Sequence, residues 1–210
     1  VHHHTMVGVD VPLTEFPGRE ETINEIAAML TYSVQMDIIA PQTVRMQDGS
    51  LSLQAVIQNI LTGHNIPSGA IFERQMWLEV IAKDERGDTI FASGLLDKNG
   101  DLMDYHSDEV RSGRISEDKS LALYNGKALR HGNETPFFWE ADFVENRTIP
   151  PFESRMNRFQ IPIPQRTGAE IQVSIRLRFR ALPPYLLRML GHPGLVEKVP
   201  IFDMESEKQT

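Results

Sequence analysis

The stretch Ile171-Gln-Val-Ser-Ile-Arg-Leu-Arg-Phe-Arg180 alternates apolar and polar side chains without a break, and no other feature constrains the fold as tightly. Successive side chains of an extended strand point to opposite faces. Ile171, Val173, Ile175, Leu177 and Phe179 therefore share one face, and Gln172, Ser174, Arg176, Arg178 and Arg180 the other. A helix would scatter the same residues around its axis. Leu51, Leu53, Ala55 and Ile57 repeat the pattern, as do Met76, Leu78, Val80 and Ala82. Turn-forming groups punctuate the runs at Asp48-Gly49, Arg86-Gly87-Asp88, Asn99-Gly100 and Thr167-Gly168. Short strands without intervening helices predict an all-β chain, an antiparallel immunoglobulin-like β-sandwich.

The first 34 residues break this pattern. Val1 to Gly18 carries Pro12 and Pro17 and reads as an extended arm. Arg19 to Val34 places Ile23, Ile26, Ala27, Leu30 and Val34 at helical spacing, with Glu20 and Glu21 at the positive end of the helix dipole. The division expected is therefore 1–34 as arm and helix, linking to another domain, and 35–210 as the sandwich. Val7, Val9, Val11 and Leu13 would bury alternate side chains against a partner surface, so the arm should be mobile when that partner is missing. Leu102 to Gly132 is polar and weakly periodic, which predicts an excursion outside the core. A short helix is expected at Tyr185 to Leu190, after Pro183-Pro184.

The arginines of Arg155 to Arg158 and Arg176 to Arg180 read as the solvent side of strands. Arg74, Trp77 and Trp139 invite a ligand-pocket reading, but the alternation suits ordinary sandwich packing. Trp77 alternates away from Met76 and Leu78, so it belongs on a face covered by the helix or by a partner.

A formal charge of −8 over 210 residues, with no concentrated basic face, argues against nucleic acid. The chain has no cysteine, which excludes disulfides, thiolate metal sites and covalent attachment of haem c within it. No apolar run reaches the ~20 residues of a transmembrane helix. No signal peptide is visible and Val1 is not a natural start, so a mature product or a fragment is expected. Gly-x-Ser-x-Gly, His-Glu-x-x-His and a glycine-rich phosphate loop are all missing, and no carboxylate pair is marked out for acid–base work. The expectation is that the chain is not an enzyme. Asn133-Glu-Thr135 and Asn146-Arg-Thr148 match an acceptor pattern for glycosylation, a weak signal by itself.

Three blocks resemble a known family. They are Thr62-Gly-His-Asn-Ile-Pro-Ser-Gly69 with Arg74-Gln-Met-Trp-Leu-Glu-Val80, then Arg147-Thr-Ile-Pro-Pro-Phe-Glu-Ser154, then Leu177 to Arg188 with Val199 to Met204. The arm His4-Thr-Met-Val-Gly8 adds a weaker fourth. In this order they resemble the carboxy-terminal, haem-free β-sandwich domain of bacterial multihaem c-type cytochromes. The chain departs from that pattern at Thr148, which is inserted, and at Phe152, where glycine is usual.

The resemblance implies a non-catalytic module for electron transport in the periplasm or at the cell surface. It would pack on a multihaem cytochrome domain or subunit that carries haem c, and self-association into a homo-oligomer or filament stays open. The rival reading is a free-standing extracellular protein that binds a metal or a small ligand.

Under the resemblance, the histidine–x–x–x–glycine arm can supply a distal haem ligand, which falls on His4, with His3 and His2 beside it. The bland alternative for these three is a tag remnant or a flexible polar end. His64 lies in a glycine–proline turn, either as a metal or haem-edge contact or as a side chain bonded to loop backbone. Asp97, Asn99 and Asp101 occupy alternate positions as at the start of a calcium loop, with Asp108 at its twelfth place. Leu102 stands where that loop needs glycine. The competing account is an Asn-Gly turn with its acids in solvent.

Overall fold

A computed structural model of the chain describes residues 7–41, 49–135, 137–163 and 170–209. Asp48, Thr167 and Gly168 of the expected turns lie outside the described residues, as do His2, His3 and His4.

The architecture is mainly antiparallel β. One sheet joins β1 (Val34–Ile39), β2 (Ser50–Asn59) and β9 (Ser154–Pro162) in the order β1-β2-β9. The facing sheet has the order β11-β10-β3-β4, from β3 (Gln75–Asp84), β4 (Thr89–Ser93), β10 (Ile171–Arg180) and β11 (Phe202–Gln209). The short β5 (Leu123–Tyr124) also pairs with β3. A small third sheet orders β6 (Gly126–Arg130), β7 (Asn133–Glu134) and β8 (Phe143–Asn146) as β7-β6-β8.

Register carries the alternation across strands. Val173 lies opposite Ala82, Ile175 opposite Val80, Leu177 opposite Leu78 and Phe179 opposite Met76. These buried rows face Leu53, Ala55, Ile57, Phe159 and Ile161 of the other sheet in a single core. Water is excluded from both inner faces, and this burial is the main favourable contribution to folding.

Helix α1 (Arg19–Ser33) and the arm join this core instead of reaching away from it. Ile26 and Leu30 are fully buried, Val11 belongs to the same cluster, and Val7 and Val9 pack against it. Arg74 pins the arm from below, with both terminal nitrogens 2.9 Å from the Asp10 carboxylate. Arg19 Nε donates to the Pro12 carbonyl at 2.9 Å. The partner surface expected for Val7, Val9 and Val11 is thus supplied by the sandwich itself, because the helix leaves an apolar margin that the arm can close.

The stretch expected as an excursion also departs from expectation. Leu102, Ala122, Tyr124 and Ala128 are buried, and Ala122 and Tyr124 enter the main cluster. Part of the stretch pairs with β3 through β5, opposite Met76 and Trp77, and Trp77, on the outer face of β3, is completely buried. Its Nε1 donates to the Gly94 carbonyl at 3.0 Å, and the guanidinium groups of Arg178 and Arg180 stand 5.7 and 5.3 Å from the ring. Gly94 has φ +74°, and a Cβ there would lie 2.1 Å from the Leu78 carbonyl oxygen, so only glycine fits this crossing.

Arg176 and Arg178 pair with Glu79 and Asp203, whereas Arg180 is buried, contrary to a solvent-facing reading. The expected carboxy-terminal helix is α3 (Pro184–Met189). Among the described residues no helix is long and apolar enough to cross a membrane.

Candidate functional site

The turn that follows β2 is built around Asn59, a fully buried side chain. Its Nδ2 donates to the carbonyls of His64 and Ile149, at 2.9 and 3.0 Å, and its Oδ1 accepts from the Thr62 backbone N–H at 3.2 Å. The Thr62 hydroxyl is 2.6 Å from both Asn59 Oδ1 and the His64 carbonyl. Ile66 and Ile149 exchange two backbone bonds, which ties the Arg147 to Ser154 block to this turn.

The Asn59 and Thr62 side chains and the Ile66–Ile149 backbone pair therefore hold the turn, and the His64 ring is left exposed. Its Nδ1 is 2.9 Å from the Asn65 carbonyl. A carbonyl can only accept, so Nδ1 carries a proton, and in the neutral ring the lone pair is on Nε2. Metal-binding imidazoles commonly show this arrangement, with one nitrogen oriented by a backbone oxygen and the other free for a metal.

A cleft of about 290 Å³ opens beside His64, lined by Val7, Ser33, Pro67, Ser68 and Arg74. Leu61 is 70% exposed and Phe152 73%, and the Phe152 N–H donates to the Asn59 carbonyl at 2.9 Å. Phe152 has φ +60°, a left-handed backbone that suits glycine, which explains why phenylalanine is a departure at this place.

The Asp97 loop is a turn whose oxygens are filled by donors of the protein. Asp97 Oδ1 accepts from the N–H groups of Asn99 and Asp101, at 2.7 and 2.9 Å, and Oδ2 from the Ser107 hydroxyl at 2.7 Å. Asp101 accepts from Tyr185 N–H at 2.9 Å and forms a close ion pair with Arg188. Asn99 presents its carbonyl to Arg188 at 3.3 Å. Asp108 starts the short helix α2 (Asp108–Arg111) and pairs with Arg111.

A cation at this loop would have to displace those donors, and among the described residues no group of three or more histidines and carboxylates is placed to hold a metal. Asp101 is not in solvent either, at 1% exposed. Burial raises its pKa, with Arg188 pulling the other way. Arg180, pushed down to about 10 by burial, donates to the Gly100 carbonyl at 2.6 Å and so clamps the loop to β10.

A second histidine, not among the residues expected from the sequence, occupies the centre of a polar cluster. The His106 ring lies between Tyr105, at 3.8 Å, and Tyr185 of α3, at 4.0 Å. Its Nδ1 is 3.3 Å from Asp104 Oδ2 and its Nε2 3.9 Å from Glu134 Oε1. Glu134 Oε2 is 2.7 Å from Lys127 Nζ. The cluster forms one wall of an open cleft of about 400 Å³. Burial raises the pKa of both tyrosines, with the nearby carboxylates adding to the effect.

Trp139, expected in the sandwich, is 63% exposed on a 3₁₀ turn, where it stacks on Phe137 at 4.7 Å.

No family model and no curated protein matches this chain. Among solved structures it is similar in fold to a penta-heme cytochrome c552 from Thermochromatium tepidum. The TM-score is 0.61 at 20% sequence identity, over 87% of this chain and 40% of the cytochrome. The chain thus spans less than half the length of the structure it matches.

Proposed function

We propose that this chain is a haem-free, non-catalytic module of a multihaem c-type cytochrome, acting in electron transfer in the periplasm or at the cell surface. The observation that supports this reading most is the shared fold, which extends over most of this chain but 40% of a penta-heme cytochrome. With no cysteine the module cannot attach haem covalently, so the haem c would belong to an adjoining domain or subunit. The chain's own contribution would come from the end that carries His64. Its Nε2 lone pair can reach an iron outside the sandwich, while Leu61 and Phe152 offer apolar contact around it. Covering a haem flank in this way lowers the local dielectric and helps to set the potential.

The polypeptide that contains this sequence, isolated from its source, is expected to stain for haem on a denaturing gel or to co-purify with a polypeptide that does. A 23.9 kDa product with no haem-stained polypeptide bound to it would contradict the proposal. That result would favour a free-standing ligand-binding protein, a reading supported by the polar cleft beside His106.

A further inference from the structure

The two large sheets end in edge strands of opposite charge. β9 closes one sheet and β11 the other. Because β1 lies beside β11 and β4 beside β9, these two edges stand at opposite margins of the sandwich. On β9 the direction of the free backbone groups follows from its pairing with β2. Asn59 N–H donates to the Glu153 carbonyl at 3.0 Å and Ile163 N–H to the Gly49 carbonyl at 3.2 Å. The odd-numbered residues between Glu153 and Ile163 therefore turn their backbone groups to β2. Ser154, Met156, Arg158 and Gln160 direct theirs outwards, and among the described residues no other strand takes them. All four are exposed.

Charge separates the two margins. Arg155 and Arg158 are exposed on β9, and neither has an ion-pair partner among the described residues. On β11, Asp203 is taken by Arg176 and Arg178, but Glu205 and Glu207 have no such partner. Burial raises the Glu205 pKa and the Glu207 charge adds to it, as for acids that lack a nearby cation. Helix α1 packs beside β11, whose buried residues are Phe202 and Met204, while Ser206, Glu207 and Lys208 stay exposed. Charges on an edge strand ordinarily stop it from pairing. Here they do so for like edges, since β9 against β9 sets arginine on arginine and β11 against β11 glutamate on glutamate. β9 against β11 brings opposite charges together, in strands of nine and eight residues. A strand added to an open edge is held by backbone hydrogen bonds and selected by its side chains.

We propose that β9 of one copy of this chain pairs with β11 of a second copy, so that the chain associates head to tail through its sheet edges. The joint uses different surfaces on the two copies and leaves one edge free at each end. It involves neither His64 nor a haem, so it stands or falls separately from the cytochrome reading.

The test is sedimentation velocity of the full chain over a hundredfold range of concentration at low and high salt. Association should rise with concentration and weaken with salt. Arg155→Glu with Arg158→Glu should weaken it at least tenfold, and so should Glu205→Arg with Glu207→Arg. An equal mixture of these two double variants should associate again. Both remain net acidic, so bulk attraction between the variants does not produce that recovery. Met156→Pro removes one outward N–H at an edge position and should weaken the joint as well, which keeps the test in force if the β11 variant fails to fold. A monomer at every concentration, association unchanged by the β9 variants, or a mixture of folded double variants that stays monomeric would each overturn the proposal.

Discussion

His64 and His106 each have Nδ1 fixed by an oxygen close in sequence, the Asn65 carbonyl at 2.9 Å and the Asp104 carboxylate at 3.3 Å. One ring then stands in solvent, while the other is held between two tyrosines with a second carboxylate beyond it. The difference separates two uses of one side chain. A ring with a free Nε2 outside the core can serve a neighbour, whereas a ring packed on both faces serves its own fold and the cleft next to it.

Stability should divide the pair most sharply. His106→Ala removes two ring contacts and leaves Asp104 and Glu134 facing each other, so a loss of about 2–4 kcal/mol is expected in denaturant unfolding. His64→Ala should stay within about 0.5 kcal/mol, as for exposed positions generally. Equal losses for the two would erase the distinction.

The scaffold under His64 should be more sensitive than the ring it presents. Asn59→Ala leaves the Ile149 carbonyl without its side-chain donor in a buried place, and about 1–3 kcal/mol should be lost. Phe152→Gly at the same end relieves a left-handed backbone and should raise stability by about 1 kcal/mol. No gain would mean that the phenylalanine ring packs better than its exposure implies.

The acid limb of stability provides a smaller effect at the other end. Arg114 and Lys98 lower Glu109 from 4.5 to about 2, against a desolvation that works in the opposite sense. A folded pKa below the unfolded one gives stability that is present above about pH 4.5 and is lost as pH falls towards 2. Thermal melts of Glu109→Gln against the parent over this window should converge as pH drops. A gap that stays constant would rule out this ion-pair cluster as its source.

The least effect is expected from calcium. Since Asp97 and Asp101 are occupied by protein donors, millimolar calcium against chelator should leave the melting temperature unchanged, and a clear rise would revive the calcium loop.

Strands were legible because β2, β3 and β10 each carry at least four apolar residues at alternate positions, and period two leaves no competing element. Helix α1 was legible from Ile26 and Leu30 with the acids at its start. The outer cover of β3 was not, because Trp77, Gly94, Arg178 and Arg180 meet through contacts far apart in sequence that leave no local period. His64 stood out through its glycine–proline surroundings. His106 could not, since Asp104, Glu134 and Tyr185 come from three separate segments; the adjacent Asp104-Tyr105-His106 was the only local signal, and a weak one. The arm was misplaced because alternate valines show that one face is buried but not which surface buries it.

The claim that the His64 end faces a haem-bearing partner is tested most directly by an optical titration of the whole chain with a c-type haem peptide that has one open axial position. A saturable high-spin to low-spin change is predicted, kept when His2, His3 and His4 are replaced by alanine and lost in His64→Ala. A titration unchanged by His64→Ala would contradict the account.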